Sequence, residues 1–401
     1  MTYIRLLLLT SVLAFLASPA LIAFGTEPEW QMQPVEGPGS RAAHAMAYDS
    51  GRGVTILFGG QDRNYQGDTW EWNGSAWSHE ADSGPSPRSA PAMAYDSARG
   101  VTLLFGGSNH NDPVRFYGDT WEWDGSTWTQ RSTAGPSARL GHAMAYDGSR
   151  NRTVLFGGSD GVRNGETWEW DGKAWTLRSI AGPSARAGHA MAYDSAREVI
   201  VLFGGADEVL SGETWEWDGD NWVQREVPSP SPRYRHTMAY DGARSVTVLF
   251  GGYDDGTYDD ETWEWDGKAW IQQAATGPGK RSYPAMVYDS DRGETILFGG
   301  FDGEFSGETW KYGVLCDGTE SFTKAVCRCP NKQKLVAKGT ATAGQEVVIA
   351  GDNDLGSKTV TANGQNKWKA VFKDTVVCGT TYQPTATFEC RLSTQKTRMC
   401  D

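Results

Sequence analysis

Repeated arginines and acids are the residues of this 401-residue chain whose types and spacing could do chemistry. A guanidinium binds a carboxylate through two parallel hydrogen bonds, so a repeated arginine could hold an acid of the protein or an acidic ligand. The sixfold repetition favours a ring of structural pairs that lock loops between neighbouring repeats. The arginines are Arg41, Arg88, Arg139, Arg186, Arg233 and Arg281, and the acids are Asp68, Asp119, Glu166, Glu213, Glu261 and Glu308.

Aromatic and arginine side chains that depart from the repeat are a second set of candidates. Some follow a repeated Phe-Gly-Gly motif, and others stand just before a repeated Ala-Met-Ala-Tyr-Asp motif. Functional residues concentrate in variable loops that a rigid scaffold positions. Together with three of the repeated arginines, these departures predict a ligand site made of Arg41, Tyr65, Arg88, Arg115, Tyr117, Tyr234, Arg235, Tyr253, Tyr258, Arg281, Tyr283 and Phe301.

Each candidate lies in a unit that recurs roughly every 50 residues. A unit contains an apolar run that ends in Phe-Gly-Gly, and then Thr-Trp-Glu-Trp, Asp-Gly and a further Trp, as in residues 167–175. The repeat predicts four short strands. Strand a alternates large and small side chains with period two, strand b is the apolar run, strand c is Thr-Trp-Glu-Trp, and strand d begins at the further Trp. Asp-Gly between tryptophans indicates a tight hairpin, because both residues accept a positive φ.

A single sheet of this kind cannot bury its tryptophans, so the units must pack face to face around an axis. The double glycine after strand b and the Trp beyond strand c resemble the kelch-type β-propellers, with six blades from about Trp30 to Gly313. The resemblance implies an all-β fold in which the d–a and b–c loops surround one mouth of a central channel. Residues 30–33 resemble strand d without a strand c before them, and the last unit lacks a strand d. We therefore expect the N-terminal strand to complete blade six and close the ring.

Histidines at one repeated strand a position raise the question of a metal site. A six-bladed channel is too wide for four side chains to reach one ion at about 2 Å, so structural histidines are expected. Paired acids in blade five lack the spacing of a calcium-binding EF-hand loop. We predict no metal and no other cofactor. The histidines are His44, His142, His189 and His236, and the acids are Asp254, Asp255, Asp259 and Asp260.

The first 25 residues predict a secretory signal peptide, because Arg5 precedes an apolar run from Leu6 to Phe24 and the small residues Ala23 and Gly25 stand at its end. A retained membrane anchor is the alternative. We expect a secreted, periplasmic or cell-surface protein with no membrane insertion after cleavage. The formal net charge is −13, and the segment after residue 313 is basic, so the propeller is still more acidic. This charge argues against nucleic acid and anionic lipid as partners.

All six cysteines lie in the C-terminal segment, and in an exported chain they predict disulfide bonds. Cys327 and Cys329 are too close in sequence to pair comfortably, and the other pairings stay open. Residues 335–372 resemble immunoglobulin-like modules appended to bacterial surface and secreted proteins. The predicted organisation is a signal peptide at 1–25, the propeller at 26–313 and a small disulfide-bonded β-sandwich at 314–401. The cysteines are Cys316, Cys327, Cys329, Cys378, Cys390 and Cys400.

The kelch resemblance implies a recognition role, because the face made by the d–a and b–c loops commonly holds acidic peptides or sugars. We expect a monomeric, exported, non-catalytic recognition or adhesion module that binds a glycan, a peptide or a surface protein. A carbohydrate-active enzyme such as a sialic-acid mutarotase is the alternative, with Glu304 or Asp254 as acid–base group. Kelch-like copper oxidases require a tyrosine cross-linked to cysteine, and the predicted propeller has no cysteine.

Overall fold

The structure is a computed structural model of the chain. It describes residues 28–313 except 112–113, 133, 179–180 and 274–275, and it gives the backbone of the strands between residues 321 and 399. The predicted signal peptide at 1–25 and the side chains of the six cysteines lie outside the described residues. Within the described part of the chain, no helix is long and apolar enough to cross a membrane.

Six four-stranded antiparallel sheets form the blades, as the repeat predicts. β1 (Glu29–Gln33) opens the described chain and belongs to blade six. Blade one holds β2 (Ala45–Asp49), β3 (Val54–Phe58), β4 (Thr69–Trp72) and β5 (Trp77–Ala81). Blade two holds β6 (Ala92–Asp96), β7 (Val101–Phe105), the loop hairpin β8 (Ser108–Asn109) and β9 (Arg115–Phe116), β10 (Thr120–Trp123) and β11 (Trp128–Ser132). Blade three holds β12 (Ala143–Asp147), β13 (Arg152–Phe156), β14 (Thr167–Trp170) and β15 (Trp175–Arg178).

The second half of the propeller repeats this order. Blade four holds β16 (Ala190–Asp194), β17 (Val199–Phe203), β18 (Thr214–Trp217) and β19 (Trp222–Arg225). Blade five holds β20 (Thr237–Asp241), β21 (Val246–Phe250), the loop hairpin β22 (Tyr253–Asp254) and β23 (Thr257–Tyr258), β24 (Thr262–Trp265) and β25 (Trp270–Gln273). Blade six holds β26 (Ala285–Asp289), β27 (Glu294–Phe298), β28 (Thr309–Gly313) and the N-terminal β1.

The N-terminal strand closes the ring, as expected from the sequence. β1 pairs antiparallel with β28, with Trp30 opposite Tyr312 and Gln33 opposite Thr309. The Trp30 ring packs against Tyr312 of its own blade and Phe250 of blade five. Strands from the two ends of the propeller therefore share one sheet, and the blade is complete only when both are in place.

The core lies between the blades. The second tryptophan of strand c is buried in every blade except six, where Tyr312 takes its place. Trp72 of blade one, for example, packs with Ile296 and Phe298 of blade six. Fully burying a large apolar side chain stabilises a protein by about 1.5–3 kcal/mol. Packing between blades thus accounts for these tryptophans without a ligand.

Indole hydrogen bonds join each blade to the one before it. The tryptophan at the start of strand d, or Trp30 in β1, donates its Nε1–H to the threonine that begins strand c of the preceding blade. Trp77 reaches Thr309 of blade six at 2.9 Å, and Trp30 of blade six reaches Thr262 of blade five at 2.9 Å. The remaining pairs are Trp128–Thr69, Trp175–Thr120, Trp222–Thr167 and Trp270–Thr214.

The c–d hairpin differs from its prediction in one respect. Only the glycine has a positive φ, for example 95° at Gly125, whereas the preceding aspartate does not. The Asp124 carboxylate instead accepts hydrogen bonds from the backbone N–H groups of Ser126 and Thr127. Trp123 pairs with Trp128, so the connection has four residues. The aspartate is present because its side chain caps the turn.

The C-terminal segment has further strands. They are β29 (Ser321–Arg328), β30 (Lys334–Thr340), β31 (Glu346–Ala350), β32 (Ser357–Thr361), β33 (Lys367–Lys373), β34 (Thr381–Tyr382), β35 (Thr385–Phe388), β36 (Thr394–Gln395) and β37 (Arg398–Met399). A three-stranded sheet has the order β29-β30-β33, a four-stranded sheet has the order β32-β31-β35-β36, and β34 pairs with β37. The predicted immunoglobulin-like packing and the disulfide bonds depend on side chains outside the described residues, so both stay predictions.

Candidate ligand-binding site

The repeated arginines form the expected ring of ion pairs. Arg88, for example, binds Asp119 through Nη1 at 2.6 Å and Nη2 at 3.0 Å, and its Nη1 also reaches the Gly106 carbonyl. Of the arginines proposed as ligand contacts, Arg41, Arg88 and Arg281 are 3%, 0% and 6% exposed. The guanidinium groups of these three are therefore occupied by protein acids. The pairs are Arg41–Asp68, Arg88–Asp119, Arg139–Glu166, Arg186–Glu213, Arg233–Glu261 and Arg281–Glu308.

Each ion pair lies within one blade, which corrects the expectation that the pairs lock loops between blades. Arg88 and Asp119 both belong to blade two, where they join the d–a loop to the b–c loop. The contact between blades uses the arginine backbone instead. The carbonyl of Arg88 accepts a hydrogen bond of 2.9 Å from the Gly60 N–H of blade one. The second glycine of Phe-Gly-Gly is thus the donor that ties neighbouring loops together.

A closed circle of backbone hydrogen bonds surrounds the mouth of the central channel. One residue per blade, just before strand a, donates its N–H to the carbonyl of the equivalent residue in the preceding blade, and Ala43 donates to Tyr283. Every residue of this circle has a left-handed backbone, with φ between 50° and 72°. Glycine fits this conformation best because it has no Cβ, and the circle contains small residues in four of the six blades. The circle consists of Ala43, Ala90, Gly141, Gly188, Arg235 and Tyr283.

Arg235 and Tyr283 break the small-residue pattern of this circle. Their φ values are 62° and 54°, where a residue with a long side chain is uncommon. The guanidinium carbon of Arg235 lies 4.4 Å from the ring centroid of Tyr234 and 4.6 Å from that of Tyr283. Strained backbone that the surrounding structure holds in place is concentrated at functional sites. The channel mouth at blades five and six is therefore the first part of the candidate site.

An aromatic cluster continues from this arginine across the loops of blades five and six. Tyr234 contacts Tyr253 edge-on at 5.9 Å, Tyr253 contacts Tyr258 at 5.1 Å, and Tyr258 contacts Phe301 at 6.0 Å. Phe301 also packs against Phe305 at 4.9 Å. A cavity of about 140 Å³ adjoins the two phenylalanines. We call the chain of contacts formed by Tyr234, Arg235, Tyr253, Tyr258, Tyr283, Phe301 and Phe305 the aromatic cluster.

The structure brings together some predicted site residues and separates others. Tyr234, Arg235, Tyr253, Tyr258, Tyr283 and Phe301 all belong to the aromatic cluster. Tyr65 is partly buried on its own loop in blade one, where it pairs with Gln61. In blade two, Arg115 is exposed, and the Tyr117 ring covers the buried Arg88 at 3.9 Å. Phe305 was not predicted, although its place in the irregular loop after Phe301 is a signal in the sequence.

Asp259 is a second residue that the sequence interpretation missed as a site residue. Its Oδ2 lies 3.1 Å from Nη1 of Arg233 in an ion pair, but among the described residues this buried oxygen accepts no hydrogen bond. Burial raises the pKa of Asp259 to about 6, and the nearby charges of Asp254 and Glu261 add to the rise, whereas Arg233 opposes it. The sequence does contain a signal for Asp259, because the other five blades have an uncharged residue at the equivalent position. At this position the backbone carbonyl accepts the N–H of a ring arginine, and the equivalent residues are Gln66, Tyr117, Asn164, Ser211 and Ser306.

The repeated histidines are packed between blades. His142, for example, lies edge-on to Phe105 of the preceding blade, with its Nε2 3.1 Å from the Phe105 carbonyl. Burial lowers the pKa of His142 to about 3, and the charge of Arg139 lowers it further. Among the described residues, no group of His, Cys, Asp and Glu is arranged to hold a metal ion. The central channel, with a volume of about 470 Å³, is lined mainly by the strands a.

Comparison with known proteins agrees with this architecture. The family model described as the KLHDC2/KLHL20/DRC7 Kelch-repeats domain matches residues 171–351. No curated protein matches the sequence. The solved structure of YjhT is similar, with a TM-score of 0.54 at 14% identity over 70% of this chain and 96% of that chain.

A chain in the structure of RAG in complex with one melted RSS and one unmelted RSS has a TM-score of 0.49 at 13% identity, over 72% of this chain and 100% of that chain. At 14% identity, the likeness to YjhT concerns the fold alone. Six four-stranded blades, a repeated double glycine after strand b and the family match lead to one conclusion: this chain contains a kelch-repeat domain folded as a six-bladed β-propeller.

Proposed function

We propose that this protein is an exported recognition module that binds a polypeptide partner through the aromatic cluster of blades five and six. The observation that carries the proposal is the replacement of alanine or glycine by Arg235 and Tyr283 in the backbone circle. Four blades keep small residues there, so the scaffold itself does not require the large side chains. Ala43 and Ala90 carry the same Cβ penalty in a left-handed backbone, so the feature that needs a reason is the size of the Arg235 and Tyr283 side chains, and we ascribe it to binding.

The composition of the cluster favours a polypeptide as the partner. Tyrosine and arginine are enriched among the residues that dominate protein–protein binding, because they combine large contact area with hydrogen-bonding groups. The cluster supplies both types, and its tyrosines are partly buried, which leaves part of each ring exposed for contact. Aromatic faces also stack on sugar rings, so the binding screen described next includes glycans as the competing class of ligand.

The test is a binding screen of the purified protein on peptide and glycan arrays. The triple variant Tyr253→Ala, Tyr258→Ala and Phe301→Ala removes the centre of the cluster without touching the ion-pair ring. Ile271→Ala is the matched control, because this apolar side chain is 50% exposed on the outer strand of blade five. The proposal is supported if the triple variant loses peptide binding while Ile271→Ala keeps it. Unchanged binding in the triple variant, or binding of glycans alone, contradicts it.

A second candidate function is a carbohydrate-active enzyme such as a sialic-acid mutarotase, and Asp259 is the observation that favours it. A carboxyl group with a pKa of about 6 can both donate and accept a proton near neutral pH. Glu304 and Asp254, the acids first considered, have less suitable surroundings: Glu304 is exposed, and Asp254 is hydrogen-bonded to Ser231 and Thr257. Anomer exchange followed by NMR in native protein and Asp259→Asn tests this alternative. Equal rates of anomer exchange in the native protein and in Asp259→Asn would exclude the enzyme alternative.

A further inference from the structure

The c–d hairpin of blade one differs in chemistry from the other c–d hairpins. Blades two to five begin this hairpin with an aspartate, whereas blade one begins it with Asn73. A carboxylate and an amide both provide an oxygen that can cap the turn, but only the amide adds an NH2 group. The aspartates are Asp124, Asp171, Asp218 and Asp266.

The residues that follow Asn73 complete an acceptor sequence for a sugar. Asn73 is exposed and is followed by Gly74 and Ser75, which makes the sequence Asn-x-Ser. An asparagine in an Asn-x-Ser or Asn-x-Thr sequence is the attachment point of N-linked glycans on the surface loops of secreted proteins. The departure from aspartate in blade one therefore coincides with a modification signal.

The hairpin holds Asn73 in an Asx turn. Its Oδ1 accepts hydrogen bonds from the backbone N–H of Ser75 at 2.9 Å and from that of Ala76 at 3.0 Å. The Ser75 hydroxyl also donates to Oδ1, at 2.9 Å. All these bonds use the oxygen of the amide, and among the described residues no group accepts a hydrogen bond from Nδ2. The nitrogen that a sugar would be joined to is therefore free, with the Ser75 hydroxyl beside the amide.

A sugar on Nδ2 is compatible with the fold. The bond to the sugar leaves the amide oxygen unchanged, so the hydrogen bonds that cap the turn persist. The loop is held in place, because Gly74 has a φ of 96° and lies against the Arg292 side chain of blade six. The c–d hairpins are at the opposite end of the strands from the b–c loops. A glycan on Asn73 would thus project from the face opposite to the aromatic cluster.

A second acceptor sequence, Asn151-Arg152-Thr153, has a different geometry. Thr153 is 0% exposed within β13, and its hydroxyl has no hydrogen-bond partner among the described residues. The amide oxygen of Asn151 instead accepts a hydrogen bond of 3.1 Å from the Tyr146 hydroxyl. The threonine hydroxyl is therefore not paired with the acceptor amide, and Asn151 serves as an internal control.

We propose that Asn73 is a modification site at which an oligosaccharide is attached through Nδ2. The donor is an oligosaccharide linked through its C1 to a lipid pyrophosphate. The bond between C1 and the pyrophosphate oxygen breaks, the bond between C1 and Nδ2 forms, and one amide proton is released. This inference rests on export, which is part of the proposed function, because N-linked glycans belong to secreted proteins.

The test is mass spectrometry of the full chain produced in the organism that encodes it. Fragmentation of the peptides that contain Asn73 and Asn151 locates any added sugar. Ser75→Lys removes the hydroxyl and should fold, because Lys173 and Lys268 occupy this position in blades three and five. Ser75→Thr keeps the acceptor sequence and is the matched control. Asn73→Asp restores the aspartate of blades two to five, and chemical denaturation checks the folding of each variant.

We expect sugar on Asn73 in the native protein and in Ser75→Thr, its complete loss in Ser75→Lys and Asn73→Asp, and no sugar on Asn151. Three results overturn the inference. They are an unmodified Asn73 in the exported native protein, sugar on Asn73 in Ser75→Lys, and equal modification of Asn73 and Asn151.

The glycan site and the proposed function can fail separately. Cell fractionation shows whether the protein is exported, and a protein found only inside the cell contradicts both export and the glycan site. An exported protein with an unmodified Asn73 contradicts the glycan site alone. If that unmodified protein binds a peptide on the array and the triple aromatic variant does not, recognition through the aromatic cluster stands.

Discussion

The guanidinium of Arg235 in blade five lies 4.6 Å from the ring centroid of Tyr283 in blade six, and the Tyr283 N–H donates to the Arg235 carbonyl at 2.7 Å. Both residues have a positive φ in a circle that otherwise contains only alanine and glycine. The same two residues thus close the backbone circle and depart from its pattern. Substitutions of these two side chains leave the backbone hydrogen bonds of the circle in place, so they can test a role in binding separately from a role in folding.

Glycine at these two positions should leave stability nearly unchanged. For Arg235→Gly and Tyr283→Gly, relief of the left-handed backbone offsets the lost stacking, so the free energy of unfolding should change by no more than about 1 kcal/mol. Chemical denaturation of each variant beside the native protein provides the measurement. A loss of several kcal/mol would show that the side chains are needed for folding, which removes the argument for a binding role.

Removal of a ring arginine should have the opposite effect. Arg88→Ala removes the main ion-pair partner of Asp119 and leaves a cavity where the buried arginine side chain was. The free energy of unfolding should fall by about 3–5 kcal/mol. The control is Arg63→Ala, an exposed arginine without a described ion pair, for which a change within about 0.5 kcal/mol is expected. Similar denaturation curves for both variants would contradict the structural role of the ion-pair ring.

Acid should weaken the propeller through the same ring. Burial alone would raise the pKa of Asp119, but hydrogen bonds from Arg88 and its positive charge outweigh burial and hold the pKa below 3.8. A carboxyl with a lowered folded-state pKa stabilises above its unfolded pKa and loses this contribution as the pH falls. The acids that pair with the other ring arginines share this direction.

We therefore expect the melting temperature to fall steeply below pH 4.5, the upper end of the ordinary values of these acids. Asp119→Asn should be less stable than the native protein at pH 7, and the difference should shrink at lower pH. A constant difference across the pH range would show that the pair contributes no titratable stability.

Asp259 should show the reverse pH dependence. Its pKa is raised from 3.8 to about 6, so the charged form is disfavoured in the folded state and stability falls as the pH rises through this interval. Asp259→Asn, which resembles the protonated form, should melt at a higher temperature than the native protein at pH 7.5. The gap should be much smaller at pH 4. A variant that is less stable at both pH values would indicate that the Arg233 contact dominates.

The closing strand should be needed for stability. Trp30→Ala removes the indole bond to Thr262 and the packing against Phe250 and Tyr312, which should cost about 3–5 kcal/mol. Met32 lies on the same strand but is 48% exposed, so Met32→Ala should change the free energy of unfolding by less than about 1 kcal/mol. Equal effects of the two substitutions in chemical denaturation would show that β1 does not close blade six in solution.

The sequence determined the architecture because each unit repeats the same local signals. Period-two alternation, the double glycine and the paired tryptophans predict four strands per unit, and the N-terminal Trp30 predicts the closing strand. The ion pairs between the repeated arginines and acids were predictable for the same reason. Repetition also indicated that Tyr234, Arg235, Tyr253, Tyr258, Tyr283 and Phe301 depart from the scaffold.

Only the tertiary structure decided which of these departures contact one another. Sequence spacing does not give the direction of a loop side chain, so Tyr65, Arg115 and Tyr117 looked equivalent to Tyr253 and Phe301. Burial was likewise undetermined, since Arg88 becomes inaccessible only when Asp119, Tyr117 and the neighbouring loops enclose it. The contact of the Arg235 guanidinium with two tyrosine rings and the raised pKa of Asp259 were undetermined as well. Both depend on burial and on neighbouring groups, and folding brings several of these groups together from distant parts of the sequence.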